Sequence, residues 1–166
     1  MSEKKLVVDQ LKLTYSGLFD FYGLYHMIDG FFYEEGYDRM EKKNYEQVLP
    51  SGKDIELDMR PWKKQTDYAK SIIQIRIIVT ELKDVEIEKE GVKHKINQGN
   101  ILIIINSFLD TDYENRWESS PLFYFLRTIM DKYIFRHYTD LTEKKLIEDT
   151  KHIHDLIKSY LNLYKA

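Results

Sequence analysis

The chain has no cysteine. That excludes disulfides, thiolate metal sites and a cysteine nucleophile. It also has no Gly-rich phosphate loop, no H-E-x-x-H and no G-x-S-x-G. The usual local marks of nucleotide binding, zinc proteolysis and serine hydrolysis are therefore missing. Active sites assembled from distant residues leave no such mark, so this leans the reading away from an enzyme without deciding it. No apolar run approaches the length that spans a bilayer. Met1 to Asp9 lacks the apolar h-region of a secretory signal. A cytoplasmic chain with no membrane insertion is the expectation. A net charge of −3 gives no global nucleic-acid footprint.

What the chain does carry is a run from Ala69 to Tyr113 that reads as one long β-hairpin. Glu90-Gly91 makes a two-residue turn, with the glycine supplying a positive φ. Glu86 then faces Lys95 and Glu88 faces Lys93, while Val85 meets Ile96 and Ile87 meets His94, pairings that cross-strand energetics favour. A bulge at Gly99, adding one residue to the second strand, pairs Val79 with Ile103, Ile77 with Ile105, Ile75 with Ser107 and Ile73 with Leu109. The competing arrangement is a meander with turns at Lys83-Asp84 and Gly99. It brings the order of elements close to a sheet wrapped around a helix, as in helix-grip proteins.

The flanks fill in the class. Val7, Leu11, Leu13 and Tyr15 suggest a first strand, and Ser16 can N-cap a helix. Leu18, Phe21, Tyr25, Ile28 and Phe32 recur at helical spacing up to a stop near Gly36. Tyr45–Leu49 and Ile55–Met59 form a hairpin around Pro50-Ser51-Gly52. Pro121 sits at a first helical position, opening a helix with Leu122, Leu126, Ile129 and Tyr133 on its apolar face and an end near Tyr138. Asp140 and Glu143 resemble a capping box for a last helix with Leu146, Ile153, Ile157, Tyr160 and Tyr164 as its stripe. The fold class is α+β. An antiparallel curved sheet contains the long hairpin, with one helix after the first strand and two C-terminal helices packed on the sheet. Residues 1–166 form a single domain, with 84–98 as a projecting hairpin tip.

Candidate sites are few. Asp110, Asp112 and Glu114 alternate like the start of a calcium loop, but Asn115 stands where glycine is required, and a solvated acidic loop is preferred. Arg60, Trp62, Lys63 and Lys64 form a basic–aromatic cluster of the kind that meets phosphates and bases. One short cluster in an acidic chain makes nucleic acid an unlikely partner. His152 and His154 are two apart on a helix and cannot share one ion, and Glu148 with His152 is read as a surface ion pair. No catalytic residue, metal site or cofactor is expected.

Gly23 and Gly30 share a helix face flanked by Phe19, Met27 and Phe31. Two helix-interior glycines cost about 1 kcal/mol each, which points to a close neighbour, either the chain's own C-terminal helix or another subunit. The leading expectation is a non-enzymatic interaction or assembly subunit, self-associating as a homo-oligomer. Glu86, Glu88, Lys93 and Lys95 at the tip, with Phe19, Met27 and Phe31, form its contacts. The alternative is a cavity protein for a small apolar ligand lined by Tyr22, Tyr25, Tyr124 and Tyr133.

Overall fold

The computed structural model describes residues 3–66, 69–111, 121–130, 132 and 136–163. Strand β1 (Glu3–Phe19) leads into helix α1 (Phe21–Glu34). Strands β2 (Glu41–Leu49), β3 (Gly52–Met59), β4 (Trp62–Lys64), β5 (Ala69–Lys89) and β6 (Val92–Thr111) follow, then helices α2 (Pro121–Met130) and α3 (Arg136–Asn162). The strands make one open antiparallel sheet in the order β1-β6-β5-β3-β2, with β4 also paired to β5. Met59 lies opposite Ile75 and Trp62 opposite Ile72. Strands β3 and β4 thus keep one register against β5 across Arg60-Pro61, where proline has no N–H to donate.

The hairpin forms as a single continuous ribbon, not a meander. Glu90 and Gly91 both have positive φ, 55° and 78°, as a type I′ turn demands. The tip pairs match expectation: Glu86 with Lys95, Glu88 with Lys93, Val85 with Ile96, Ile87 with His94. The bulge does not. The shift falls between Thr80 and Lys83, so the extra residue lies on β5, at Glu81-Leu82, opposite Gly99. The inner pairs become Val79–Ile101, Ile77–Ile103, Ile75–Ile105 and Ile73–Ser107. Each differs by two residues from expectation, which leaves every side chain on its expected face.

That face is the core. Rows such as Leu57–Ile77–Ile103–Leu13 run across four strands. They meet Leu24, Ile28, Phe31 and Phe32 of α1 and Leu146, Ile153, Ile157 and Leu161 of α3. The apolar stripe of α3 is therefore used inside the chain. Helix α1 starts later than expected, because β1 stays paired to β6 as far as Phe19. Asp20, not Ser16, is the N-cap and accepts from the Gly23 amide at 3.0 Å. The helix ends in a Schellman motif: Tyr37 N–H bonds Phe32 C=O, Gly36 N–H bonds Tyr33 C=O, Gly36 has φ 78°, and the Phe32 and Tyr37 rings stand 5.4 Å apart.

The pair of C-terminal helices laid on the sheet is corrected. Helix α3 takes that place beside α1, while Leu122, Phe125, Leu126 and Ile129 of α2 are exposed. Helix α3 also starts before Asp140, which lies inside it. Tyr133 lies outside the described residues, and Tyr138, near which the first C-terminal helix was expected to end, lies inside α3.

Candidate functional site

Strands β5 and β6 outrun their neighbours. β3 pairs with β5 no further than Leu82, and β1 pairs with β6 no further than Asn97. Past those residues the two strands continue to Lys89 and Val92 as a ribbon that, among the described residues, pairs only to itself. Its base is anchored. Asn97 is buried, donates to Asp84 at 2.7 Å, and accepts from the Phe21 amide at 3.1 Å. One side chain thus ties both ribbon strands to the start of α1.

Alternation sorts the ribbon into two faces. Asp84, Glu86, Glu88, Lys93 and Lys95 line the face continuous with Asn97. Val85, Ile87, His94 and Ile96 line the other. The four charged tip residues are all exposed, whereas Val85, Ile87 and Ile96 are half-buried. The ribbon is therefore amphipathic, and both its backbone edges are open among the described residues, which is the arrangement that accepts an added strand.

The expected second contact is not at the surface. Phe19 and Phe31 are buried in the core, and Met27 packs against it. Phe31 meets the His152 ring edge-on at 5.2 Å. The close neighbour foreseen for Gly23 is the chain's own α3, since a Cβ at Gly23 would collide with the Tyr160 hydroxyl and the Asp20 carboxylate. At Gly30 a Cβ would meet nothing within 4 Å.

The basic–aromatic cluster is spread over both faces of the sheet. Arg60 pairs with Asp58 at 3.2 Å. Lys63 donates to the Glu35 carbonyl at 2.8 Å and lies over the Tyr37 ring. Trp62 carries Lys70 over its own ring, 5.3 Å from the centroid. Among the described residues no group of three His, Asp or Glu side chains could hold a metal ion. Asp112 and Glu114 lie outside them.

Among the described residues, packed isoleucine, leucine and phenylalanine lie between α1, α3 and the sheet. Tyr22 is 57% exposed, and Tyr25 is engaged by Arg39 and Glu41. The side chains of Tyr124 and Tyr133 are outside the described ones. A hollow of about 480 Å³ lies on the sheet face turned away from α1 and α3. Ile78 and Leu102 floor it, and Thr14, Ser16, Thr80 and Asn100 rim it.

One polar constellation has no counterpart in the sequence reading. Tyr37 is buried, and its hydroxyl donates to Asp149 at 2.9 Å. Lys145 holds the other Asp149 oxygen at 3.1 Å. Burial, and then the Asp149 charge, push the Tyr37 hydroxyl well above the ordinary tyrosine range. The constellation joins the segment that follows α1 to α3. The signal was available: Asp149 falls in the apolar stripe of α3 between Leu146 and Ile153. No described helix is long and apolar enough to cross a membrane. No family model, curated protein or solved structure matches this chain.

Proposed function

We propose that this chain is a non-enzymatic protein-interaction or assembly subunit whose contact arm is the ribbon from Lys83 to Gln98. One observation carries the reading: β5 and β6 continue past both flanking strands, so among the described residues the ribbon has two open edges, and no buried core residue of β5 or β6 lies beyond Leu82 and Ile101. A two-stranded ribbon is marginally stable alone, and a protein surface against Val85, Ile87 and Ile96 supplies what it lacks. Glu86, Glu88, Lys93 and Lys95 set the register of whatever it meets, through charge.

Sedimentation of the purified chain tests the reading. Replacing residues 85–96 by Asn-Gly closes a short hairpin between Asp84 and Asn97. The expected result is a loss of assembly mass at high micromolar concentration with an unchanged melting temperature. Identical masses for the two proteins at every concentration count against self-assembly through the ribbon.

The alternative of a small apolar ligand keeps one observation in its favour, the hollow over Ile78 and Leu102. Thermal-shift screening with hydrophobic ligands decides it: stabilisation abolished by Leu102→Glu supports a site there, and no shift with any ligand removes it.

A further inference from the structure

The hollow over Ile78 and Leu102 does not end at its rim. A second one of about 240 Å³ adjoins it, and the two share Ser16 and Asn100. Together they form one trough along the outer face of the sheet, and its two ends differ in chemistry. The larger end, about 480 Å³, is floored by the half-buried side chains of Ile78 and Leu102, which pair across β5 and β6. That volume falls in the range of small-molecule sites. The smaller end takes in Glu81, Lys83 and Gln98.

The bulge is what brings charge there. Unbroken alternation from Thr80 would turn Lys83 to the helix side and Leu82 outward. The extra residue inverts this. Leu82 is buried in the core, and Lys83 stands opposite Gln98 on the outer face. Glu81, at φ 56°, accepts from the Asn100 side-chain amide at 3.3 Å. Asn100 in turn accepts from the Ser16 hydroxyl at 2.6 Å, which orients its amide. Bulges re-aim side chains in this way beside functional sites.

The charges at this end are unspent. Among the described residues no cation stands within ion-pair distance of Glu81 and no carboxylate within that distance of Lys83, and no side-chain hydrogen bond engages Lys83 or Gln98. One charge of each sign therefore lies at one end of an apolar floor, and the two do not pair with each other. A simple apolar anion placed on the floor meets Glu81 with its head, and a simple apolar amine meets Lys83. Like charge works against each of them. A head that carries both charges satisfies both residues.

We propose that the trough binds a free α-amino acid with a large apolar side chain. Its ammonium group lies toward Glu81, its carboxylate toward Lys83 and the Gln98 amide, and its side chain over Ile78 and Leu102. The proposal rests on the reading of the hollow as a ligand site and adds the class of ligand.

Amide chemical shifts of the full-length chain, followed by NMR during titration, test it. L-phenylalanine is expected to move the amides of Gly17, Gly99, Asn100 and Leu102 saturably in the millimolar range. Phenylpropanoate lacks the ammonium group, phenethylamine the carboxylate and glycine the apolar side chain, and each is expected to bind about tenfold more weakly. Glu81→Gln weakens L-phenylalanine but brings phenylpropanoate up to its level. Lys83→Met does the same for phenethylamine. Each variant gains a ligand, so its result is not a loss of fold. Equal affinity of the wild-type chain for L-phenylalanine, phenylpropanoate and phenethylamine overturns the proposal but leaves an apolar-ligand site standing. Shifts confined to amides away from the trough, or no shift with any of the four compounds, also overturn it. The screen with hydrophobic ligands and Leu102→Glu then decides separately whether the hollow binds anything.

Discussion

The Tyr37 hydroxyl donates to the Asp149 carboxylate at 2.9 Å, linking residues 112 apart in the chain. Asp149 is only 3% exposed, and its other oxygen is held by Lys145 at 3.1 Å. A buried carboxylate that loses a donor keeps its desolvation cost and loses the bond that offset it. Tyr37→Phe therefore lowers the unfolding free energy by about 2 kcal/mol, read as a drop in urea midpoint with unchanged slope. A midpoint equal to wild type means that the carboxylate does not depend on Tyr37.

The same pair sets an alkaline limit. Burial first, and the Asp149 charge second, raise the Tyr37 pKa. The hydrogen bond that Lys145 donates to Asp149 leads the causes that raise the Lys145 pKa. Both groups keep their protons to higher pH in the folded chain than in the unfolded one. Above about pH 10 the unfolded chain thus binds fewer protons, and stability falls as pH rises. The contribution is whole below that point and is lost as pH climbs through the folded values. Glu56 works the other way. Hydrogen bonds from Lys43 and Arg76 lower its pKa, so its contribution is lost as pH falls. Urea midpoints measured against pH check the assignment: Tyr37→Phe lies below wild type near neutrality but declines less steeply above about pH 10. Parallel curves remove Tyr37 as the source.

Gly23 and Gly30 share helix α1 but predict opposite outcomes. Alanine at a helix-interior glycine gains about 1 kcal/mol when nothing obstructs it. Nothing lies within 4 Å of a Cβ at Gly30, so Gly30→Ala raises the melting temperature. At Gly23 the added methyl displaces either Tyr160 or the Asp20 carboxylate that caps the helix. Loss of an N-cap costs about 1 kcal/mol, which cancels or exceeds the propensity gain. Differential scanning calorimetry of the two variants separates them, and equal shifts of the same sign remove the Tyr160–Gly23 contact from the account.

Much of this architecture is local in origin, which is why the sequence shows it. The I′ turn at Glu90-Gly91, the alternation of Ile55, Leu57 and Met59, and the glycine that stops α1 each act within a few residues. What sequence reasoning misplaced is decided by distant partners. Gly99 looked like the bulge because glycine is the visible residue, yet the extra residue sits across the ladder at Glu81-Leu82, where neither side chain marks it. Ser16 and Asp20 are both competent caps; pairing of Leu18 and Phe19 with β6 selects Asp20. Phe31 reads as surface because the path of α3 across α1 is not written in α1, and Phe19 because the pairing that keeps it in β1 opposite Asn97 is not visible locally. The ribbon's isolation depends on where β1 and β3 stop.

Gly52 shows how closely that bulge is held from the other side. Its φ is 136°. A Cβ there would stand 2.7 Å from the Glu81 carbonyl carbon and 3.0 Å from the Leu82 oxygen, both backbone. Backbone cannot swing aside as a side-chain tip can. Gly52→Ala must therefore push β3 away from β5 at the bulge, in addition to straining its own φ. The expected loss is about 2 kcal/mol. The Glu81 amide donates to the Asp54 carboxylate at 3.1 Å, and its hydrogen exchange should accelerate in the variant relative to amides in the middle of β5. Gly91 provides the comparison: its φ is also positive, at 78°, but a Cβ there would meet nothing within 4 Å. Gly91→Asn, a residue that tolerates this conformation, is accordingly close to neutral. A Gly52→Ala chain as stable as wild type, with Glu81 exchange unchanged, shows that the two backbones are free to separate. The ribbon would then rest on Asn97 alone.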